Sequence, residues 1–139
     1  MNSPNFHSHD GNFEVDDCVS IFASTKVAKA QMAAMSNART PMCMATLMNG
    51  PHKGQIESSG GKGTTVGTIS VTRATSPRGT AAFTVGLPIT SQGVSLTVNL
   101  TIVSFIKRQL GQQITFYSYG PTFPATLETH LTSVGISRL

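Results

Sequence analysis

Carboxylates are missing from the middle of this chain. Between Glu57 and Glu128 there is no Asp or Glu, whereas five Lys or Arg side chains fall within the same stretch. A surface that keeps cations and lacks anions repels itself, and such surfaces are typical of proteins that face phosphate groups or another anionic partner. The pattern indicates a kind of partner, and it specifies no reaction.

Charged residues of either sign are also scarce, at 12% of the 139 residues, against about 25% in an average globular protein. So few charges favour a partner surface or self-assembly over a dispersed monomer. Residues 1–17 hold four carboxylates and no Lys or Arg, whereas residues 18–139 hold ten cations and two carboxylates, a net charge of +8. We therefore expect an acidic arm or small hairpin over residues 1–17, and a single basic α+β domain over residues 18–139.

Cysteines and long apolar runs are few as well. Cys18 and Cys43 are too few for a disulfide scaffold and too far apart for a zinc site, so both are expected to be free thiols. The N-terminus has neither the basic nor the apolar region of an export signal, and no apolar run has the length of a membrane span. We expect a soluble chain that is not exported by the usual route and does not contact a membrane.

Residues that could catalyse a reaction are sparse. Beyond the N-terminus the acid–base candidates are His52, Glu57, Glu128 and His130, and the last two lie two positions apart, where helical side chains point in different directions. No nucleophile has a visible base. The chain is therefore predicted not to be an enzyme.

Two short segments have some of the residues of a cofactor-binding motif. The segment 60–65 is similar to a phosphate-binding loop, but Gly63 separates Lys62 from Thr64 and a strand pattern follows, so we discard a nucleotide site. His7, His9 and Asp10 have the atom types of metal ligands, and a metal protein or small hydrolase built from them is an alternative. We expect no metal and no cofactor.

The helical signals are uneven. Residues 26–38 are rich in Ala, Lys, Gln and Met, with Ser24 or Thr25 as a cap, which predicts a helix. Its apolar stripe either docks on a sheet or binds a partner. A short C-terminal helix is predicted over residues 127–134, closed by Gly135. The apolar run 41–48 predicts a short buried strand, and the composition of residues 49–65 predicts a loop.

Alternation predicts most of the remaining structure as antiparallel strands. Strands are expected over residues 18–22, 66–73, 80–87, 94–102 and 112–119, with a turn at residues 75–79; the alternative to an N-terminal arm is a hairpin that turns at residues 9–12. The predicted fold is α+β: an antiparallel sheet of about five or six strands, one helix in the N-terminal half and a short C-terminal helix.

The strand pattern places polar side chains together on one face of the predicted sheet. Hydroxyl and carboxamide groups both donate and accept hydrogen bonds, so this face suits phosphates, sugars and base edges. It has no aromatic side chain on which a base could stack. Ser and Thr are also ordinary residues of the solvent side of a strand, and that interpretation stays open. The polar face comprises Ser70, Thr72, Thr84, Ser95, Thr97, Asn99 and Thr101. Cations in loops or at strand ends are expected to reach a ligand laid across it: Lys53, Lys62, Arg78, Lys107 and Arg108. Arg73 is a further candidate, although strict alternation puts it with Ile69 and Val71 unless the strand ends before it.

Three segments, 67–73, 83–88 and 95–102, have the alternation and turn placement of a known family. In them the chain resembles the coat proteins of the single-stranded RNA (levivirus-like) bacteriophages. The resemblance implies that two subunits join edge to edge into one sheet, that the C-terminal helices cross the partner's sheet, and that the polar face holds RNA. It also implies a location in a virion or in the host cytoplasm.

The sequence therefore predicts a structural coat protein that self-assembles, as a homodimer and as a larger assembly, and that binds RNA or another polyanion. A viral matrix protein has the same broad properties. A carbohydrate- or peptide-binding β module is the alternative from another class, because it would use the polar face without needing the cations.

Overall fold

The computed structural model describes residues 5–139, which form seven antiparallel strands and four α-helices. The sheet order is β1-β2-β7-β6-β5, and both β3 and β4 pair with the outer side of β5. The predicted α+β class with an antiparallel sheet is confirmed. The elements are β1 (Phe6–His7), β2 (Phe13–Ile21), α1 (Thr25–Ser36), α2 (Thr40–Leu47), a wide helical turn (Met48–His52), α3 (Lys53–Ser59), β3 (Thr65–Val66), β4 (Ser70–Arg73), β5 (Thr80–Ser91), β6 (Val94–Lys107), β7 (Leu110–Tyr119) and α4 (Ala125–Arg138).

The helices lie on both faces of the sheet. One face, which we call the α4 face, packs Val103, Phe105 and Ile114 beneath α4. The opposite face packs a second cluster, which includes Val85 and Ile69, against Met48 and Ile56. Two small cores result, because antiparallel partners share a face and successive residues alternate between faces. No helix of residues 5–139 has both the length and the apolar character of a membrane span.

The acidic N-terminal segment belongs to the sheet. Phe6 pairs with Val15 and His7 with Glu14, so the hairpin alternative holds for residues 5–17; residues 1–4 lie outside the described part. The expected boundary after residue 17 falls inside β2, which runs unbroken from Phe13 to Ile21 and pairs with β7 along its whole length. Hydrogen bonding to β7 makes this segment part of the domain.

Helix α1 is confirmed. The Ser24 hydroxyl accepts a hydrogen bond from the Val27 amide at 3.2 Å, as an N-cap does. On the predicted stripe Ala28 is fully buried, and Met32 and Met35 are half-buried against the sheet. The stripe therefore docks on the protein's own sheet.

The predicted strand over residues 41–48 is wrong, because these residues form helix α2. Pro41 stands in the first turn, where its fixed φ suits a helix and its missing N–H costs nothing. Met, Ala and Leu are good helix formers, and a short run that is apolar on all sides has no periodicity to separate a helix from a strand. The predicted loop over residues 49–65 is wrong in its first half. Its chain bends at Gly50 and continues as α3.

The predicted strand over residues 66–73 is divided into β3 and β4. Pro88 of β5 lies opposite the break and has no N–H to donate, although its carbonyl accepts from the Gly67 amide at 2.8 Å. A Cβ at Gly67 would come within 3.1 Å of the Pro88 ring, so glycine permits this approach. Elsewhere the strands are longer than predicted, since β6 extends to Lys107.

The C-terminal helix is confirmed, but Gly135 does not close it. Helix α4 runs on to Arg138, and Gly135 is buried within its last turn. A Cβ there would lie 2.8 Å from Ile114 Cδ1 and 3.0 Å from Phe105 Cζ. The glycine therefore lets α4 approach the sheet closely.

Candidate nucleic-acid interface

All seven residues of the predicted polar face lie on the α4 face. Thr72 pairs with Thr84, which pairs with Thr101, and Asn99 pairs with Gly86. Residues that pair directly in an antiparallel sheet point to the same side, so the shared orientation follows from the register. We call this set the hydroxyl face: Ser70, Thr72, Thr84, Ser95, Thr97, Asn99 and Thr101.

The hydroxyl face occupies the half of the sheet that α4 leaves open. Ser70, Thr72, Ser95 and Thr97 are exposed, and the other three members are half-buried. Thr90 belongs to the same surface, because its hydroxyl lies 2.9 Å from that of Ser95. The alternation of β5 in the sequence includes Thr90, but Pro88 favours an earlier end of that strand, so Thr90 was not predicted.

The boundary of this open half is visible along β6. From Ser95 to Thr101 the residues on the α4 face are polar, whereas Val103 and Phe105, in the same phase, are apolar and buried. The change of chemistry coincides with the place where α4 begins to cover the sheet. A ligand therefore meets hydroxyl groups on one side of this line and the helix on the other.

One carboxylate reaches the hydroxyl face. Glu128, in the first turns of α4, bonds to the Thr101 hydroxyl. Burial raises the pKa of Glu128, and the Thr101 hydrogen bond opposes this only partly. The absence of acidic residues between Glu57 and Glu128 in the sequence thus does not extend to the folded surface, because the helix brings Glu128 onto it.

Replacing Glu128 by Gln is expected to stabilise the protein at neutral pH. A raised pKa means that the folded protein favours the protonated form, so this contribution to stability is present at low pH and is lost as the pH rises through the raised pKa. Glu128→Gln removes that loss, while its carbonyl can still accept from Thr101. Thermal unfolding across pH 4–8 is the measurement, and a variant that keeps the wild-type pH dependence would contradict the assignment.

Arg73 does not belong to the hydroxyl face. It pairs with Phe83 on the opposite face, where its guanidinium lies 5.2 Å from the centre of the Phe83 ring. It donates to the carbonyls of Met35 at 3.2 Å and Asn37 at 2.8 Å. Strict alternation puts Arg73 in phase with Val71, and the guanidinium satisfies carbonyls at the C-terminus of α1.

Most of the other predicted cations lie away from the hydroxyl face; Lys62 is near its edge, because Thr65, three residues further on, pairs with Thr90. Lys53 begins α3, which packs against the opposite face, and Lys62 lies in the turn before β3. Arg78 and Arg108 lie in turns at the far end of β5 and β6, where Lys107 is the last residue of β6. Ten residues of β6 separate Thr97 from Lys107, about 33 Å at 3.3 Å per residue. Arg78, Lys107 and Arg108 are far from the hydroxyl face because β5 and β6 are long and these cations lie at their other end. Alternation in the sequence does not show how long a strand is or where its turn lies.

The cations of the described chain have no anionic partner. No Lys or Arg of residues 5–139 forms an ion pair with a carboxylate; the pair found there joins His7 to Glu14, at 3.7 Å. Of the ten Lys and Arg side chains, Arg73 alone donates a side-chain hydrogen bond within the described residues. The remaining cations are open to an external anion.

The carboxylates, by contrast, bond mostly to neutral donors. Asp17 accepts twice from the Gln112 amide, at 2.9 and 2.7 Å, and Glu57 accepts from the Val66 amide at 2.9 Å. Asp10 accepts from Ser8 and Asn12, and hydrogen bonds from these two lower its pKa. These carboxylates thus accept hydrogen bonds within the described chain, whereas Arg73 is the one Lys or Arg side chain found to donate any there.

A hydrogen-bonded cluster around Tyr119 on the opposite face was not predicted. The Tyr119 hydroxyl donates to Glu14 at 2.8 Å, and Glu14 also accepts from Asn5. Burial and the Glu14 carboxylate raise the pKa of Tyr119 to about 12, so the phenol is protonated at neutral pH. The cluster ties β1, β2 and β7 together. Alternation alone predicts that Tyr119 and Ser118 lie on opposite faces of the sheet. It does not predict that Tyr119 bonds to Glu14.

Within the described chain no three His, Cys, Asp or Glu side chains are close enough to hold a metal ion. Cys18 and Cys43 are both free thiols. Comparisons with protein-family models, curated proteins and solved structures found no match to this chain.

Proposed function

We propose that this chain is a non-enzymatic, coat-type structural protein that self-associates and binds RNA across its hydroxyl face. The observation that carries the proposal is the open half of the α4 face, where seven hydroxyl or carboxamide groups share one surface. Such groups donate to phosphate and ribose oxygens and accept from base edges. Single-stranded RNA offers all three.

Electrostatics supports an anionic partner. Ten cations against six carboxylates, without a Lys or Arg ion pair in residues 5–139, leave a positive field around the molecule. Counterion release from RNA phosphates supplies affinity in proportion to the number of such contacts. The distance between the hydroxyl face and most of the cations means that this field attracts RNA to the molecule as a whole.

Self-association is supported by apolar side chains that nothing in the described chain covers. Ile21 is 80% exposed, Val94 71% and Met42 65%. These residues lie on separate elements, β2, β6 and α2. A monomer would leave them all in water, whereas contacts between copies in several directions would bury them.

The first experiment is expression of the protein, followed by size-exclusion chromatography and negative-stain microscopy. The expected product is a large particle that contains host RNA protected from nuclease. Since the chain has no Trp, nuclease treatment must accompany the absorbance ratio. A monodisperse monomer free of nucleic acid would overturn the proposal.

The hydroxyl face itself is tested by the triple change Thr72→Ala, Ser95→Ala and Thr97→Ala. RNA affinity is expected to fall at least about tenfold, since each hydrogen bond contributes about 0.5–1.5 kcal/mol. The slope of affinity against salt should stay the same, because no cation is removed. The matched control changes three exposed hydroxyls on the helices of the opposite face, at Thr25, Ser36 and Ser58, and should bind as the wild type does. Equal losses in the two triples would contradict the assignment.

A carbohydrate-binding β module is the second candidate. One observation favours it: the predicted cations do not surround the hydroxyl face, and neutral sugars need none. Salt separates the two functions, because phosphate contacts weaken steeply as salt increases and sugar contacts barely change. A glycan ligand that binds equally at low and high salt would support this candidate.

A further inference from the structure

Four cations from three separate segments meet at the end of the sheet farthest from the turn between β5 and β6. The β4–β5 turn carries Arg78, and Thr80, just after it, pairs with Phe105, two residues before Lys107. Arg108 follows in the β6–β7 turn, and Arg138 ends α4. We call this surface the basic end: Arg78, Lys107, Arg108 and Arg138.

The basic end contains a cleft of about 410 Å³. Lys107 and Arg108 form its charged side, and Ile21, Leu110 and Leu139 form an apolar wall. Leu139 directly follows Arg138, which brings the end of α4 to the same place. Cations beside an apolar wall suit a ligand that joins a phosphate to a flat or apolar group, as a nucleotide does.

No neighbouring group within residues 5–139 neutralises these four cations. None of them has a side-chain hydrogen bond or an ion pair there. Asp17, whose carboxylate accepts from the Gln112 amide, lines the cavity that Arg138 also lines and not the cleft beside Lys107 and Arg108. Clustered cations repel one another, and an external anion removes that repulsion.

The backbone at Arg108 is a second, independent observation. Arg108 has φ +58, and Gln109 does not share this conformation. A two-residue hairpin with positive φ only at its first central residue ordinarily has Gly there. The chain accepts a strained arginine at the mouth of the cleft, and strain held in this way is characteristic of functional positions.

We propose that the basic end is a second RNA contact, a phosphate-binding site separate from the hydroxyl face, in which the cleft receives a nucleotide. The inference rests on the proposed RNA-binding function. Lys107 and Arg138 lie on the α4 side of the sheet, as the hydroxyl face does, and α4 lies between the two areas. An RNA strand long enough to pass α4 contacts both the hydroxyl face and the basic end, whereas a short oligonucleotide contacts one of them.

The test measures binding of fluorescein-labelled oligouridine as salt is varied. In Lys107→Gln/Arg108→Gln, the slope of log affinity against log salt should fall by about 1.4, because each phosphate contact on a single strand contributes about 0.7. The control, Arg39→Gln/Lys53→Gln, removes the same charge from the helices of the opposite face and should change the slope by less than half as much. Equal changes in both pairs, or none in the first, would overturn the inference. The proposed function fails separately, if the wild type binds no RNA.

Oligonucleotide length tests the two-contact geometry. An oligonucleotide of about 16 nucleotides should bind the wild type far more tightly than one of about 4, because the second contact becomes intramolecular. Lys107→Gln/Arg108→Gln should lose most of that gain. A gain that survives in the variant would contradict the two-contact arrangement.

The variant Arg108→Gly tests whether Arg108 is needed for RNA binding or for the stability of the fold. Glycine adopts the positive φ without strain, so the melting temperature should rise by about 2–6 °C. RNA affinity should fall in the same variant. A rise in stability without a loss of affinity would overturn the role of Arg108, and so would a loss of both.

Other sources of phosphate are distinguished in parallel. Vesicles of phosphatidylcholine and phosphatidylserine should compete poorly with the longer oligonucleotide, and inorganic phosphate at equal ionic strength should not displace it. Binding to the vesicles in preference to RNA would assign the basic end to a membrane surface. Displacement by inorganic phosphate would assign it to the free ion. Either result overturns the inference.

Discussion

Phe116→Ala is expected to lower the free energy of unfolding by about 3–5 kcal/mol, the usual cost of removing a buried aromatic ring. Phe116 lies in the middle of β7 and is 1% exposed. Its ring meets that of Phe123 edge-on at 5.1 Å, and Phe123 meets Phe13 at 5.3 Å. The three rings connect two strands to the segment that leads into α4, so the variant loosens the boundary of the hydroxyl face.

Urea denaturation with an unchanged m-value is the measurement. Phe6→Ala is the matched control, because the same side chain in β1 is 63% exposed and should cost less than about 1 kcal/mol. Comparable losses in the two variants would show that Phe116 does not hold a core, and the docking of α4 would then need another explanation.

Asn49→Ala is expected to cost about 2–4 kcal/mol, although Asn49 is a polar residue in a helical turn. Its Nδ2 donates to the carbonyls of Ala45 at 2.8 Å and Ile69 at 2.7 Å, and its Oδ1 accepts from the Ile69 amide at 2.8 Å. Each net hydrogen bond contributes about 1 kcal/mol, and Ile69 is 1% exposed, so its amide would be buried without a partner. One carboxamide thus ties the end of α2 to the gap between β3 and β4.

Thermal unfolding and hydrogen exchange at the Ile69 amide test this role. Exchange at Ile69 should accelerate in Asn49→Ala more than exchange in β6 does, because the loss is local. Asn99→Ala, on the hydroxyl face, is the control, since no hydrogen bond from the Asn99 side chain is found within the described residues. A cost below about 1 kcal/mol in Asn49→Ala would contradict the proposed tie.

The sequence predicted strands better than it predicted helices, and the reason is periodicity. Alternation from Val94 to Ile102 identified β6, because polar and apolar residues take turns along the strand. Helix α2 was missed because Thr40–Leu47 is apolar on every side and carries no period. Its position between α1 and the outer strands is a matter of packing, which a single sequence does not express.

For the candidate site, too, one part was predicted from the sequence and another was not. Alternation gave the correct common face for Ser70, Thr97 and Asn99, because the register of the strands follows from their phase. It also placed Arg73 in phase with Val71, although the prediction kept that cation with the polar face. The distance from the hydroxyl face to Lys107 depends on the full length of β6, five residues longer than expected.

The sequence by itself determined which side chains share a face of the sheet, since a period of two is a local property of an extended chain. Only the tertiary structure decided what covers that face. Helix α4 docks over Val103 and Phe105 and leaves Thr97 in water, and it carries Glu128 to Thr101. Contacts between segments far apart in the chain depend on shape and burial, and no local pattern records them.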